Sequence, residues 1–287
     1  MIDRMIEINV ESERLYCGSS AQSNNRDMVF ENELVSAKLR ELGHFEWSDR
    51  ESETKVRANN KSVIMKSEVT IGTGQDSVRY SGEWCGKNRH GKGTQIWTDG
   101  CRYDGYFIDN LMHGYGRMIH SDGDYYEGYW EADKTNGLGS YYHVNGDYYI
   151  GEWKDDKHHG IGKQGWNDGA KYEGKYANGM KHGKGRFIWK DSSTYDGVFL
   201  NNKMTGEGKY VWADGRKYVG TWLNNRMHGH GVFTWLDGRK YVGGYVDDKK
   251  EGQGVFSWPD GRQYVGAWYL GRQHGIGLYT NPDGIVK

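Results

Sequence analysis

From Tyr80 onward, aromatic residues and glycines alternate with polar residues in a pattern that repeats every 23 residues. Each of nine copies opens with a tyrosine, and no insertion or deletion separates the copies; these residues are Tyr80, Tyr103, Tyr126, Tyr149, Tyr172, Tyr195, Tyr218, Tyr241 and Tyr264. A strict period of this length indicates one supersecondary unit stacked on copies of itself. The repetition also argues against an enzyme, because a catalytic site has no use for nine near-identical copies.

Within one copy, the alternation predicts two strands joined as a hairpin. If each position is numbered by its offset from the opening tyrosine, offset 2 is glycine and offset 4 is aromatic in all nine copies. Offsets 11 and 13 are always glycine, and offsets 15 and 17 are aromatic in most copies. Alternation with period 2 is typical of strands with one buried face. The polar residues 223–228 are typical of the hairpin loop, and Asp-Gly near offset 20 predicts the tight turn to the next hairpin.

These strands predict an all-β fold: an elongated, single, twisted antiparallel sheet of about nine consecutive hairpins, with a partly irregular N-terminal segment. As a hypothesis for the register, offset 0 faces offset 17, offset 2 faces 15 and offset 4 faces 13. Each large ring would then lie opposite a glycine that gives it room. Because the repeats supply no helical layer, the rings must pack on one another along a groove.

Part of this groove is expected to stay accessible, and an exposed aromatic strip of such a size normally marks a binding surface. The alternative is that the rings are simply the core of the sheet, and we expect both: some rings buried and a groove floor open to a partner. The predicted groove residues are Tyr149, Trp153, Trp166, Tyr172, Tyr176, Phe187, Trp189, Tyr195, Phe199, Tyr210, Trp212, Tyr218, Trp222, Phe233, Trp235, Tyr241, Tyr245, Phe256 and Trp258.

Residues 1–79 do not follow the repeat. Residues 31–42 are predicted to form a short helix that ends at Gly43. The charged and polar residues 48–62 are typical of a linker. Residues 63–71 are expected to form a strand that pairs with the first repeat. The segment as a whole either caps the array or docks on a partner.

Composition narrows the function classes. A mean hydropathy of -0.92 would suit a disordered chain, but 22 Tyr, 12 Trp and 7 Phe supply the apolar surface that disordered chains lack. A net charge of -1 does not indicate the basic surface that nucleic-acid binding requires, nor a polybasic patch for acidic lipid. The cysteines, Cys17, Cys85 and Cys101, make no disulfide framework and are expected to be free thiols. No signal peptide or membrane span is evident.

Two rows of polar residues resemble metal sites. Histidine recurs at offset 10: His90, His113, His159, His182, His228 and His274. Aspartate recurs before the turn glycine: Asp99, Asp122, Asp168, Asp214, Asp237, Asp260 and Asp283. Equivalent residues of successive copies lie two strands apart, roughly 9.5 Å, which is too far to share an ion. We therefore predict structural and turn roles for these residues, and no catalytic residues, metal or cofactor.

The motif Tyr-x-Gly-x-Trp, then Gly-x-Gly, then Trp-x-Asp-Gly resembles the MORN repeat (membrane occupation and recognition nexus). Tyr149-Ile-Gly-Glu-Trp153 and Tyr218-Val-Gly-Thr-Trp222 carry it, and the resemblance covers residues 80–287. It implies a non-catalytic scaffold that binds partner protein segments, either a helix or an extended peptide, along the aromatic groove. It also implies a cytoplasmic place in a ciliary axoneme, as in radial spoke heads, or in another cytoskeletal assembly.

Two alternatives stay open: a membrane-apposed adaptor that binds acidic phospholipids, and a regulatory subunit of an enzyme carried on another chain. The expected partners are other protein subunits rather than nucleic acid, and an oligomer formed through the sheet edges is left open. Ser192 replaces the glycine that ends the other repeats, so its turn is expected to be strained or differently shaped. His120 and His143 replace the offset-17 tryptophan and should make the groove more polar there.

Overall fold

The computed structural model describes residues 30–58 and 62–285, and these residues are mostly antiparallel β-strand. The predicted all-β fold is confirmed, because 19 strands follow one another in chain order within a single antiparallel sheet. Two compact units divide the chain, the first ending at Asn167 and the second beginning at Asp168.

Eighteen of the strands come from the nine repeats, two from each, and one precedes them. The first unit contains α1 (Glu33–Leu42), α2 (Arg50–Arg57), a 3-10 turn (Gly74–Asp76), and strands β1 (Ile64–Ile71), β2 (Val78–Cys85), β3 (Asn88–Trp97), β4 (Arg102–Ile108), β5 (Leu111–Ile119), β6 (Tyr125–Glu131), β7 (Lys134–Tyr142), β8 (Tyr148–Lys154) and β9 (Lys157–Gly165). The second unit contains β10 (Lys171–Ala177), β11 (Met180–Ile188), β12 (Thr194–Leu200), β13 (Lys203–Val211), β14 (Lys217–Leu223), β15 (Arg226–Thr234), β16 (Lys240–Val246), β17 (Lys249–Ser257), β18 (Gln263–Tyr269) and β19 (Arg272–Thr280).

The register within a hairpin differs from the predicted one. In the hairpin of β14 and β15, Tyr218 faces Phe233 at offset 15, and the glycines at offsets 2 and 13 face each other. The register then shifts, so that Trp222 faces Met227 at offset 9. The predicted pairing of offset 0 with offset 17 is therefore wrong. The two-residue turn at Asn224 and Asn225 sets the pairing next to the loop. A β-bulge around Gly229, whose φ of +66° a side chain rarely adopts, then produces the shift along the hairpin.

The opening tyrosine lies across the opposed glycines of its own hairpin. A Cβ atom on Gly231 would clash with the ring of Tyr218, so only glycine leaves room for the ring. Burial raises the pKa of the Tyr218 phenol, which stays protonated and donates to the carbonyl oxygen of Thr221 at 3.0 Å. The same bond to the carbonyl at offset 3 recurs in all nine copies at 2.9–3.2 Å. The expectation that glycine makes room for a ring is confirmed, although the pairing differs.

Rings at offsets 0 and 4 form a buried ladder. In the second unit, the Tyr218 ring meets Trp222 of its own copy at 5.2 Å and Tyr245 of the next copy at 5.3 Å, edge to face both times. Edge-to-face contact is a favoured geometry for aromatic pairs. Tyr195 repeats the arrangement with Phe199 and Trp222. All rings at these two offsets in the second unit are buried, so they form the core of this unit.

The hairpin loop is shorter than predicted. Instead of the six residues 223–228, a two-residue turn at Asn224 and Asn225, with φ of +49° and +69°, joins the strands. This geometry is that of a type I′ turn. The Asn225 carboxamide oxygen also accepts the backbone N–H of Met204 in the preceding copy at 2.7 Å. Five other Asn or Asp residues at offset 7 make the same bond and so tie neighbouring hairpins together: Asn110, Asp133, Asp156, Asn202 and Asp248.

The N-terminal segment contains more regular structure than predicted. Helix α1 is confirmed, with Asn32 as its N-cap and Gly43 at its C-terminus. The predicted linker is wrong for residues 50–57, which form α2 with Asp49 as its N-cap. A local signal existed, because an aspartate followed by acidic residues and then basic ones favours a helix. The predicted strand is confirmed as β1, which pairs with β2 of the first repeat.

Residues 43–57 pack on the first unit, on the strand face that points away from the opening tyrosines. The Ser52 hydroxyl accepts the backbone N–H of Tyr115 at 2.7 Å. Phe45 stacks on the Tyr115 ring at 5.9 Å, and Trp47 meets Tyr106 edge to face at 6.0 Å. The segment therefore covers one face of the first unit as well as supplying an end strand.

The expectation of three free thiols holds for one cysteine of the described residues and fails for the other. Cys85 has a free thiol, whereas Cys101 is disulfide-bonded. Spacing along the chain gave no sign of this bond, because a disulfide depends on the distance between two residues in the folded structure. Cys17 lies outside the described residues.

The turn at Ser192 keeps the shape of the others, so the expectation of a different shape is wrong. The Ser192 N–H donates to the carbonyl of Trp189 at 2.9 Å, and the Trp189 N–H donates to that of Ser193 at 2.9 Å. Ser192 nevertheless has a φ of +70°. Left-handed backbone is costly for a residue with a Cβ atom, so the expected strain is present.

Replacing Ser192 with glycine should stabilise the second unit. We expect Ser192→Gly to raise the free energy of unfolding by about 1 kcal/mol, because glycine adopts a positive φ without a steric penalty. Urea denaturation followed by tryptophan fluorescence measures the change. The matched control is Gly169→Ser, which should lower stability, since Gly169 has a φ of +95° and open space around an added Cβ. A neutral or destabilising Ser192→Gly would contradict the strain.

The side chain at offset 9 also points to the face of the sheet that carries the opening tyrosines. The sequence pattern did not reveal this. In two copies of the second unit this residue is a buried methionine, Met204 or Met227, and in the next copy it is Lys250. The Lys250 ammonium lies 4.6–5.1 Å from the centroids of four rings: Trp235, Tyr241, Phe256 and Trp268. Burial, with a smaller contribution from Arg239, lowers the pKa of Lys250 to about 8.

Lys250→Met, which copies the residue of the two preceding repeats, should raise the melting temperature at pH 7 by roughly 2–4 °C. The folded-state pKa lies below the ordinary value of 10.5, so the cost of burying the ammonium is fully present below pH 8. It fades as pH rises towards 10.5. Scanning calorimetry at pH 7 and pH 9.5 should show the advantage of methionine shrinking. Destabilisation at pH 7 would mean that attraction to the four rings outweighs desolvation.

Candidate functional site

A second row of rings, at offsets 15 and 17, runs through the second unit. Neighbouring rings are tilted, with centroids 4.4–6.0 Å apart, in the order Phe187, Trp189, Tyr210, Trp212, Phe233, Trp235, Phe256, Trp258 and Tyr279. The tryptophans follow the ends of their strands, at the turns between hairpins. We name the four residues Trp189, Trp212, Trp235 and Trp258 the tryptophan strip.

Burial divides the predicted groove residues into two sets. Those of the second unit that lie at offsets 0, 4 and 15 are buried: Tyr172, Tyr176, Phe187, Tyr195, Phe199, Tyr210, Tyr218, Trp222, Phe233, Tyr241, Tyr245 and Phe256. The tryptophan strip is partly exposed. In the first unit, Tyr149 and Trp153 are buried and Trp166 is partly exposed. Core rings and accessible rings are thus both present, and protein binding by the accessible ones stays a prediction.

Three tryptophans of the strip carry an arginine from their own turn. The guanidinium carbons of Arg216, Arg239 and Arg262 lie 5.4–5.5 Å from the ring centroids of Trp212, Trp235 and Trp258. Each arginine is held by the turn aspartate, with Nε–oxygen distances of 2.6–2.7 Å. The turn therefore orients both the arginine and the tryptophan beside it.

The aspartates that precede the turn glycines stabilise the turns between hairpins, as predicted. The side-chain oxygen of Asp237 accepts the backbone N–H of Arg239 at 3.1 Å. The equivalent bond, to the backbone two residues on, is present at all seven positions: Asp99, Asp122, Asp168, Asp214, Asp237, Asp260 and Asp283. The prediction of a turn role is confirmed.

The indole N–H groups of the strip are available to a ligand. The buried Trp222 donates its indole N–H to the carbonyl of Gly208 at 3.3 Å. By contrast, within residues 30–58 and 62–285 the four strip tryptophans donate to no protein acceptor, and none of their nitrogens is enclosed. The strip thus offers flat apolar rings together with hydrogen-bond donors.

The two histidines that replace tryptophan make the first unit different. His143 places Nδ1 2.6 Å from a carboxylate oxygen of Asp124, whose other oxygen accepts the N–H of Val144 at 2.8 Å. His120 is buried, and desolvation lowers its pKa. The expectation of a more polar surface is confirmed at His143, where an imidazole hydrogen-bonded to a carboxylate lies in place of an indole.

The offset-10 histidines do not gather into a site. His90 is buried and contacts the carbonyl of Val56 in α2 through Nε2 at 3.0 Å, which is a structural role. Within the described part of the chain, no three His, Cys, Asp or Glu side chains are arranged to hold a metal ion. Neither α1 nor α2, the helices of that same part, is long and apolar enough to cross a bilayer.

Three of the solved structures that resemble the chain are domains of CPAP proteins. The G-box domain of the microcephaly protein CPAP has 12% identity and a TM-score of 0.40, covering 67% of this chain and 99% of its own. A mutant TCP10 domain of Danio rerio CPAP has 14% identity and a TM-score of 0.34, covering 66% and 93%. The TCP domain of SAS-4 (dCPAP) from Drosophila melanogaster, solved with a proline-rich motif of Ana2 (dSTIL), has 12% identity and a TM-score of 0.30, covering 69% and 88%. No curated protein matches the chain.

A family match accounts for the repeats themselves. The MORN repeat model matches nine consecutive stretches: residues 80–102, 103–125, 126–148, 149–171, 172–194, 195–215, 218–238, 241–261 and 264–286. These boundaries coincide with the opening tyrosines, and the matched stretches make up well over half of the chain. The hairpins, the glycine pairs and the Asp-Gly turns seen in the structure are the elements that the repeat encodes. The protein therefore belongs to the MORN-repeat family.

Proposed function

We propose that this protein is a non-catalytic scaffold that holds a segment of a partner protein on the tryptophan strip. The observation that carries the proposal is the strip itself: four partly exposed tryptophans, aligned on a buried aromatic core, whose indole N–H groups have no acceptor in the part of the chain that the structure describes. Tryptophan and arginine are the residues most enriched among those that dominate protein–protein binding energy. Three turns of the strip supply both.

The tryptophans of the strip are packed against buried rings before any partner arrives. Trp235 contacts the buried rings of Phe233 and Phe256, at 4.4 and 5.4 Å, and carries Arg239 above it. Side chains that are already ordered lose little conformational entropy on binding, which leaves more of the contact energy as affinity. Repetition of one surface along several copies suits an extended partner better than a small substrate.

The partners and place of action extend this proposal. We propose other protein subunits as the partners and a cytoplasmic cytoskeletal assembly, such as an axonemal radial spoke head, as the location. Both points rest on the resemblance to scaffold members of the MORN-repeat family. Co-purification from native material tests them, and a set of partners without axonemal or cytoskeletal proteins would overturn the location.

Binding to acidic lipid through the strip is disfavoured by its charges. Arg216, Arg239 and Arg262 are each paired with an aspartate of the same turn, so these arginines leave little unpaired positive charge for lipid phosphates. We expect no salt-sensitive co-sedimentation with phosphatidylserine vesicles at physiological ionic strength. Co-sedimentation that is lost on adding salt would favour the membrane-adaptor alternative instead.

Removing two rings of the strip should weaken partner binding and leave the fold intact. We expect Trp212→Ala with Trp235→Ala to lower capture of the native partner by at least about tenfold, because truncated hot-spot aromatics cost 2 kcal/mol or more. The offset-0 and offset-4 core is untouched, so the circular dichroism spectrum should be retained. A photoreactive residue at the exposed position 236, beside Trp235, should cross-link to the same partner.

The matched control is Val219→Ala with Val265→Ala. Both valines are exposed and, as neighbours of the opening tyrosines, point to the opposite face of the sheet in the same unit. This control should leave capture unchanged. Capture that survives the tryptophan double substitution in a folded protein would rule out the strip as the contact.

A further inference from the structure

We propose that the segment held by the tryptophan strip is proline-rich and binds in the polyproline II conformation, with one proline in each interval between successive tryptophans. This inference rests on the proposed function, since it specifies the chemistry of the partner segment. Three observations lead to it: the spacing of the tryptophans, their free donors and their position on a face of the sheet.

The spacing of the strip matches the polyproline II repeat. Between Trp212 and Trp235, the centroid steps through Phe233 are 5.2 and 4.4 Å. Between Trp235 and Trp258, the steps through Phe256 are 5.4 and 4.5 Å. Successive tryptophans therefore lie no more than roughly 10 Å apart, consistent with two strand spacings. A polyproline II helix rises about 3.1 Å per residue with three residues per turn, so it repeats every ~9.3 Å.

Because of this match, every third residue of such a segment faces the strip. Each of these residues lies over the space between the next two tryptophans. Each interval is alike: a buried ring at offset 15 contacts the tryptophans on both sides of it, as Phe233 contacts Trp212 and Trp235. Proline rings pack well against aromatic side chains, and the segment is ordered before it binds.

The free donors distinguish this conformation from a helix. The backbone of a polyproline II segment makes no internal hydrogen bonds, so its carbonyl oxygens need outside donors. The indole N–H groups of the strip have no acceptor among the described residues. An α-helix satisfies its own carbonyls except at its end, and so would leave most of these indole donors without an acceptor.

The position of the strip also argues against an added β-strand. Strand addition uses the unpaired backbone groups of a sheet edge. Trp212 and Trp235 follow strands β13 and β15, each of which is already paired on both sides. A partner on this face can therefore bind through side chains and indole donors, which is how polyproline II segments are recognised.

Isothermal titration of the full chain with synthetic peptides tests the inference. The probe is a peptide of about twelve residues with proline at every third position, long enough to cover the strip at ~3.1 Å per residue. One comparison peptide has the same number of prolines at every fourth position, and another has each proline replaced by alanine to favour a helix. We expect the first peptide to bind at least about tenfold more tightly than either comparison.

Variants of the protein locate the binding. Trp235→Ala should weaken the proline peptide at least about tenfold, and Val219→Ala on the opposite face should leave it unchanged. Trp235→Phe keeps a ring but removes the N–H group, and should weaken the peptide several-fold if the donor is used. Equal affinity of Trp235→Phe and the unaltered protein would contradict the role of the indole donor.

The remaining outcomes separate this inference from the proposed function. Equal or tighter binding of the alanine peptide would overturn the polyproline II assignment and leave the strip as a docking site for a helix. If no peptide binds, but capture of the native partner still depends on Trp212 and Trp235, the inference fails and the proposed function stands. If no peptide binds and substituting these tryptophans also leaves capture of the native partner unchanged, the inference and the proposed function are both overturned.

Discussion

The contact on which the rest of this structure depends is the opening tyrosine lying across two opposed glycines. The paired backbone at offsets 2 and 13 is bare, and the ring of Tyr218 covers it while its hydroxyl bonds the carbonyl three residues on. In this position the Tyr218 ring meets the offset-4 rings of its own copy and of the next copy edge to face. The repeats can therefore bury their core rings although they supply only one layer, the sheet itself.

Because the core is complete with the rings at offsets 0, 4 and 15, the tryptophans at offset 17 are left at its margin. They contact the core rings on one side and stay partly exposed on the other. The Asp-Arg pair of the same turn then fixes each of three tryptophans from outside. The repeat thus separates residues that stabilise the sheet from residues that are accessible to a partner, and the strip repeats this division over four successive copies.

Several features escaped the sequence pattern for a common reason: they depend on contacts between copies. Offset 9 carries residues as different as Thr135, His158, Met204 and Lys250, so no periodic hydrophobic signal marks it as part of the aromatic face. The Asn and Asp residues of the hairpin turns look like ordinary turn residues, yet Asn225 ties its hairpin to the one before. Helix α2 is short and charged, and its contacts with the sheet, such as those of Ser52 with Tyr115 and of Val56 with His90, explain why it is ordered.

By itself, the sequence determined the repeat, the strands, the Asp-Gly turns between hairpins and the side of the sheet on which each ring lies, because period-2 alternation follows directly from strand geometry. Alternation does not determine the register, that is, which residue of the neighbouring strand each residue faces. The two-residue Asn224–Asn225 turn and the bulge at Gly229 decided that. Exposure was likewise decided by tertiary structure: Phe233 and Trp235 look equivalent in sequence, but rings from neighbouring copies bury the first and leave the second accessible.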